Sequence, residues 1–181
     1  MQPEPGDLLL TRSSGFAGAM IRLGAAFRDR PNLVNHVAIF THTDAAGVPW
    51  CAEGRPGGFG WRDARSYLAS RWTVSNPGQA KTVKQRREIV AEARAMLGAD
   101  YDWGAIARDA AGAFGLDHVW RLKWGRSGTV PGQVVCSSAA AWLYRKAGLA
   151  CPPGEREVTP GDWLALIVES GWQTAEPEKG R

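Results

Sequence analysis

Apolar residues first gather in the short run Leu8 to Leu10, bounded by Pro5-Gly6 in front and Ser13-Ser14-Gly15 behind, which predicts a strand followed by a turn. Residues 16–27 then carry Met20, Ile21, Gly24 and Phe27 at helical spacing, with Ser13 or Ser14 placed to cap, and 28–32 reads as loop. From His36 to Thr43 the chain is rich in β-formers. A second such run begins at Gly47-Val48 and passes through Trp50, Cys51 and Ala52 to Glu53. The intervening Asp44-Ala45-Ala46-Gly47 has turn chemistry, so the two runs are expected to pair as an antiparallel hairpin. A period of two puts His36, Ala38 and Phe40 on one face and Val37, Ile39 and Thr41 on the other. The glycine-rich stretch Arg55-Pro56-Gly57-Gly58-Phe59-Gly60 reads as loop.

Helical periodicity dominates the second half. Lys84 to Leu97 aligns Ile89, Val90, Ala93, Met96 and Leu97 on one stripe and stops at Gly98, as an amphipathic helix with a glycine just past its end does. Another helix is expected over 103–114, and 117–132 has aromatic residues without a period and reads as loop. The run VVCSSAAAWLY opens a helix at Cys136 that reaches Lys146 and closes at Gly148. Thr159-Pro160-Gly161-Asp162 is a capping box with proline in the first helical position, so a short helix starts at or just before Trp163. The tail after Gln173 is polar. The 181 residues suit one core, and the expectation is a single α+β domain over 1–175 with a polar tail at 176–181.

Composition narrows the class without naming a chemistry. The chain is 44% hydrophobic and 22% charged, as ordinary globular proteins are, and no stretch approaches the roughly 18 unbroken apolar residues of a membrane span. The opening MQPEPGDLLLT has prolines and acids where a Sec signal carries a basic region, and three cysteines are an odd number at wide spacing. A cytoplasmic location is the default expectation, with a phage-type or specialised export route as the exception. The net charge of +4 is spread along the chain apart from Arg22, Arg28, Arg30 and the cluster Lys81, Lys84, Arg86, Arg87, which reads best as a solvated helix face. Weak attraction to anionic lipid, cell-wall polymer or nucleic acid is the sharper alternative. Basic residues are not interleaved with aromatic ones, so no specific nucleic-acid partner is expected.

Three residues carry candidate chemistry: His36 leads one strand, Glu53 ends its neighbour, and Cys136 opens a helix. A nucleophilic thiol gains from a helix N-terminus, where free N–H groups and the dipole favour the thiolate; it also needs a base, and the base needs a third group to fix its ring. A short hairpin turn brings His36 and Glu53 close, slightly out of opposite register. Taken singly, each residue has a plainer reading: a satisfied histidine, a solvated strand end, a small core residue.

Taken in order, PGDLLLT, NHVAIFT, the strand ending AEGRPGG, LGADYDWGAI, VVCSSAAAWLYRKAGL and VTPGDWL resemble the circularly permuted NlpC-type branch of the papain-like cysteine hydrolases, from Pro5 to about Trp172. In that branch the His-bearing strand precedes the Cys-bearing helix. The resemblance implies a papain-like fold, with a small antiparallel sheet or barrel packed against helices, and a triad of Cys136 as nucleophile, His36 as general base and Glu53 orienting the imidazole. It implies cleavage of an amide or ester bond in a peptide, cell-wall or N-acyl/lipid substrate through an acyl-enzyme. Related permuted folds of the lecithin retinol acyltransferase type transfer acyl chains, so an acyltransferase is an alternative, as is a non-catalytic binding or assembly module that keeps the fold. Tyr101 and Asp102 match the family's Gly-x-x-Tyr-Asp pattern and are candidates for lining the cleft, with a helix-capping turn at least as good a reading.

Other candidates lead to less. Asp7 starts a strand and caps a turn, and Asn35 points to the face opposite His36. His42, His118, Cys51 and Cys151 form no C-x-x-C or H-x-x-x-H unit, and no phosphate-binding glycine fingerprint is present, so neither metal nor cofactor is expected. Nine tryptophans could build a sugar or acyl-chain cleft, though core and rim packing is the commoner use. Oligomeric state is not readable at this level.

Overall fold

The computed structural model describes residues 3–12, 34–55, 57–68, 74–76, 81–101, 133–153 and 158–172. The expected helices at 16–27 and 103–114, the loops at 28–32 and 117–132, Asp102, His118 and the tail after Gln173 lie outside them.

The described chain is mixed α+β. Strands β1 (Leu8–Thr11), β2 (His36–Thr43), β3 (Pro49–Arg55), β4 (Gly58–Asp63) and β5 (Val74–Asn76) form one sheet in the order β4-β3-β2-β1-β5, and all its pairings are antiparallel. Helix α1 (Arg65–Leu68) follows β4, and α2 (Val83–Ala95), α3 (Cys136–Lys146) and α4 (Pro160–Glu169) complete the described helices. A second, two-stranded sheet pairs β6 (Asp100–Tyr101) in parallel with β7 (Gln133–Val134). Among the described residues no helix is long and apolar enough to cross a membrane.

β1 is apolar without alternation because it is covered on both faces. Leu8 and Leu10 join Val37, Ile39 and Ala52 in one cluster with the helices, while Leu9 joins Ala38, Phe40, Cys51, Ala64 and Tyr67 in another. The alternation read along β2 is therefore correct, and both of its faces are buried. Helix α3 lies in the first cluster through Ala139, Ala140, Leu143 and Tyr144, beside Ile89 and Ala93 of α2 and Trp163 and Ile167 of α4. Three consecutive alanines, Ala139 to Ala141, are all buried; small side chains let the helix axis approach closely. Full burial of each large apolar side chain contributes about 1.5–3 kcal/mol.

The expectations for 55–60 and for the cluster 81–87 need correction. The stretch 55–60 is mostly strand: Arg55 pairs with Gly58, and Gly57 and Gly58 have φ of 103° and 105°, so these glycines serve the chain reversal and the start of β4. Tyr101 sits in the β6–β7 pair. The last helix begins at Pro160 just ahead of Trp163, as expected, with Thr159 and Asp162 making the reciprocal cap, and runs ten residues. The cluster 81–87 is only partly a solvated face. Lys81 Nζ and Arg86 Nη1 each lie 3.0 Å from Asp7 Oδ1, and the Asp7 and Lys81 side chains are wholly buried. Asp7 also accepts from the Glu4 amide through Oδ2, so it closes the turn before β1 and ties that turn to α2.

Candidate active site

β2 and β3 bring the first two residues together. Their register matches Ile39 with Ala52 and Phe40 with Cys51, and one further step sets Glu53 across from Ala38, two residues from His36 on the same face. That diagonal is within reach of a glutamate. His36 Nε2 lies 2.7 Å from Glu53 Oε2, with the two residues 7% and 1% exposed. Glu53 Oε2 also accepts from the Tyr67 hydroxyl at 2.8 Å, and the Tyr67 ring centroid is 5.9 Å from that of His36. On the other carboxylate oxygen, Arg55 Nε stands 2.6 Å from Oε1 and Arg62 Nε 3.9 Å. The Arg55 contact is an ion pair whose angles do not make a hydrogen bond. Arg55 lays its guanidinium over the Tyr67 ring, 5.4 Å from the centroid.

Cys136 is the first residue of α3 and 4% exposed. Val135 before it is extended and offers no capping side chain, so the helix's first amides are not used up by a cap. Cys136 is hydrogen-bonded to the His36 side chain. Gly54 allows the close approach of β3 to this helix start: a Cβ there would lie 3.3 Å from Cys136 N and 3.5 Å from Cys136 Cα, all backbone.

The electrostatics favour an ion pair. Burial pulls the His36 imidazolium down, but the Cys136 thiolate and the hydrogen bonds to Cys136 and Glu53 outweigh it and raise the pKa to about 9. For Cys136, burial acts to raise the pKa, yet the His36 charge and hydrogen bond, with the Val37 and Ser137 amides, bring it below the ordinary thiol value. In such a pair the thiolate can attack an electrophilic carbon, and the imidazolium can then deliver its proton to the group that leaves.

The remaining cysteines differ. Cys51 is buried in β3, and burial together with the Glu53 charge pushes its thiol far up, while Cys151 is half-buried before Pro152. Sequence reasoning missed Tyr67, Arg55 and Arg62 as partners of Glu53. The signal for the arginines was the spacing of 53, 55 and 62 around a hairpin, hidden by the loop reading of 55–60. Tyr67 stands on a four-residue helix with no period to mark it. Tyr101 is 8% exposed.

No family model matches the chain, and no curated protein matches it. Among solved structures it is similar to the crystal structure of the metalloprotein yiiX from Escherichia coli O157:H7 (DUF1105), with a TM-score of 0.58 and 16% identity, covering 99% of this chain and 91% of that one. At that identity the likeness is one of fold.

Proposed function

We propose that the protein is a thiol hydrolase of the papain-like type, cleaving an amide or ester bond through Cys136, His36 and Glu53. The observation that carries the reading is the continuous chain from the Glu53 carboxylate through the His36 ring to a thiol at the first position of a helix. The order of the His-bearing strand before the Cys-bearing helix supports the permuted NlpC-type resemblance, as does the antiparallel sheet with α3 packed on it.

The Cys136 thiolate attacks the carbonyl carbon, a C–S bond forms, and the π electrons move to oxygen, where first-turn amides of α3 are the available donors. The tetrahedral species collapses, the C–N or C–O bond breaks, and the His36 proton passes to the leaving amine or alcohol. His36, now neutral, takes a proton from water as its oxygen attacks the thioester, and the thiolate departs with the acid product formed. Glu53 holds the ring tautomer and stabilises the imidazolium.

The fold neighbour's description as a metalloprotein raises a metal as an alternative. Among the described residues no group of three or more His, Cys, Asp or Glu side chains is placed to hold an ion, and Nε2 of His36 is held by Glu53. The donors at this site do not fit a metal, and no step is assigned to one. Exposure to an activated ester such as 4-nitrophenyl acetate is expected to release a burst of one equivalent of nitrophenol and leave an acetyl group on Cys136; no adduct there would refute the hydrolase reading. A stable adduct that clears only on adding an amine or alcohol would mark an acyltransferase.

A further inference from the structure

The arrangement thiol, imidazole, carboxylate, guanidinium has a direction. His36 hands its proton to the leaving half of the substrate, and its Nε2 is held on the Glu53 side. Two arginines stand there on one carboxylate. With Cys136 and His36 cancelling as an ion pair, Glu53, Arg55 and Arg62 leave one positive charge in excess.

The sequence of β4 makes room for them. Gly60 lies across from Glu53 and Gly58 across from Arg55, while Arg62 is across from Cys51, so the cross-strand positions facing the carboxylate and its first arginine carry no side chain. Arg62 folds back into that space: a Cβ at Gly60 would be 3.0 Å from Arg62 Nη1, which donates to the Trp61 carbonyl at 2.8 Å. The two side chains are 42% and 40% exposed, in contrast to the wholly buried Glu53 side chain. Among the described residues, Nη1 and Nη2 of Arg55 and Nη2 of Arg62 make no hydrogen bond. Neutralising Glu53 needs one guanidinium, and Arg55 at 2.6 Å supplies it; Arg62 at 3.9 Å is surplus to that purpose.

We propose that Arg62, with the outer nitrogens of Arg55, forms an anion-recognising subsite, so that the leaving half of the substrate carries a carboxylate or a phosphate. Planar guanidinium donors suit either group, and their half-exposure keeps them open to a ligand. The proposal rests on the hydrolase reading and specifies its substrate.

The test compares acetyl esters whose phenolic leaving groups differ in charge. One pair is 4-acetoxybenzoate and 4-acetoxybenzamide, extended by the phenylacetate and phenylpropionate analogues with their amides; the other is 4-acetoxyphenyl phosphate and its dimethyl triester. For each pair the ratio of acylation kcat/KM, anionic over neutral, is the readout, which cancels any change in thiol reactivity. The wild-type ratio is expected to exceed one by about fivefold or more, the order of an exposed ion pair. It should fall toward one in Arg62→Gln and be retained in Arg62→Lys. Preference in the carboxylate pairs only, or in the phosphate pair only, supports the proposal and names the anion. A ratio near one in wild type, or an Arg62→Gln ratio equal to the wild-type value, overturns the subsite while leaving acylation of Cys136 by the neutral esters intact. Absence of acylation by every ester overturns the hydrolase reading and the subsite with it.

Discussion

Tyr67 and His36 share a single oxygen of Glu53: the hydroxyl reaches Oε2 at 2.8 Å and Nε2 at 2.7 Å, all three residues being buried. The carboxylate is thus fixed from two sides on one oxygen and by Arg55 on the other. Removing its charge tests its role. Glu53→Gln keeps an acceptor for His36 but not the charge that stabilises imidazolium, and should lower acylation by about 10²-fold or more with the fold retained. Glu53→Ala should be slower still and should lose about 3 kcal/mol of stability or more, since it strips Arg55 and Tyr67 of their shared partner. Stopped-flow acylation and denaturant melts on both variants read the two effects separately.

Tyr67→Phe removes one donor from Oε2 and leaves the packing in place. A stability loss of about 1 kcal/mol is expected, with a several-fold fall in acylation as the carboxylate gains freedom. Unchanged acylation would make Tyr67 a core residue only.

Gly54→Ala would put a methyl carbon 3.3 Å from Cys136 N against backbone that cannot give way by rotating a side chain. The start of α3 must shift, and acylation should fall by about tenfold or more while the melting temperature moves little, because catalysis is more sensitive to small misplacement than packing is. An acylation rate equal to wild type would show that the strand does not set the position of the thiol.

Much of this site is legible in the amino-acid sequence alone. The β-rich runs around a turn mark β2 and β3, and the helix start marks Cys136, because period, turn chemistry and capping are local signals. Closure of β1 between two faces is not legible, since an unbroken Leu8 to Leu10 run does not say what covers it. Nor is the role of Lys81 and Arg86, which lie 74 and 79 residues from Asp7 in sequence and look like any helix surface until the fold brings them together. The glycines of β4 mislead for a physical reason: the same residues that permit a turn also clear space opposite Glu53 and Arg55.

Asp7 anchors that long-range contact, and Asp7→Asn should cost about 3 kcal/mol or more because Lys81 and Arg86 lose the carboxylate they both bind in a buried setting. Equilibrium urea unfolding checks this. A change within about ±0.5 kcal/mol would place the cluster among solvated surface charges.

Reactivity should separate the three thiols. Cys51 is held protonated by burial and the Glu53 charge and should stay unlabelled until the protein unfolds, whereas Cys151 is half-buried and dispensable. Cys51→Ala and Cys151→Ala should retain acylation, and peptide mapping after timed alkylation should show Cys136 labelled first.

The central claim is that the fold holds Cys136 as a thiolate against a protonated His36, and the rate of Cys136 alkylation by iodoacetamide against pH tests it most directly. With the thiol pKa lowered by His36 and the imidazolium persisting up to about 9, the rate should rise through a midpoint below the roughly 8.5 of a free thiol. Acylation, which also needs the His36 proton, should fall again as pH passes about 9. In His36→Gln the burial of Cys136 acts without the neighbouring charge, so the alkylation midpoint should move above the free-thiol value. A wild-type midpoint at or above that of a free thiol, unmoved by His36→Gln, would contradict the account.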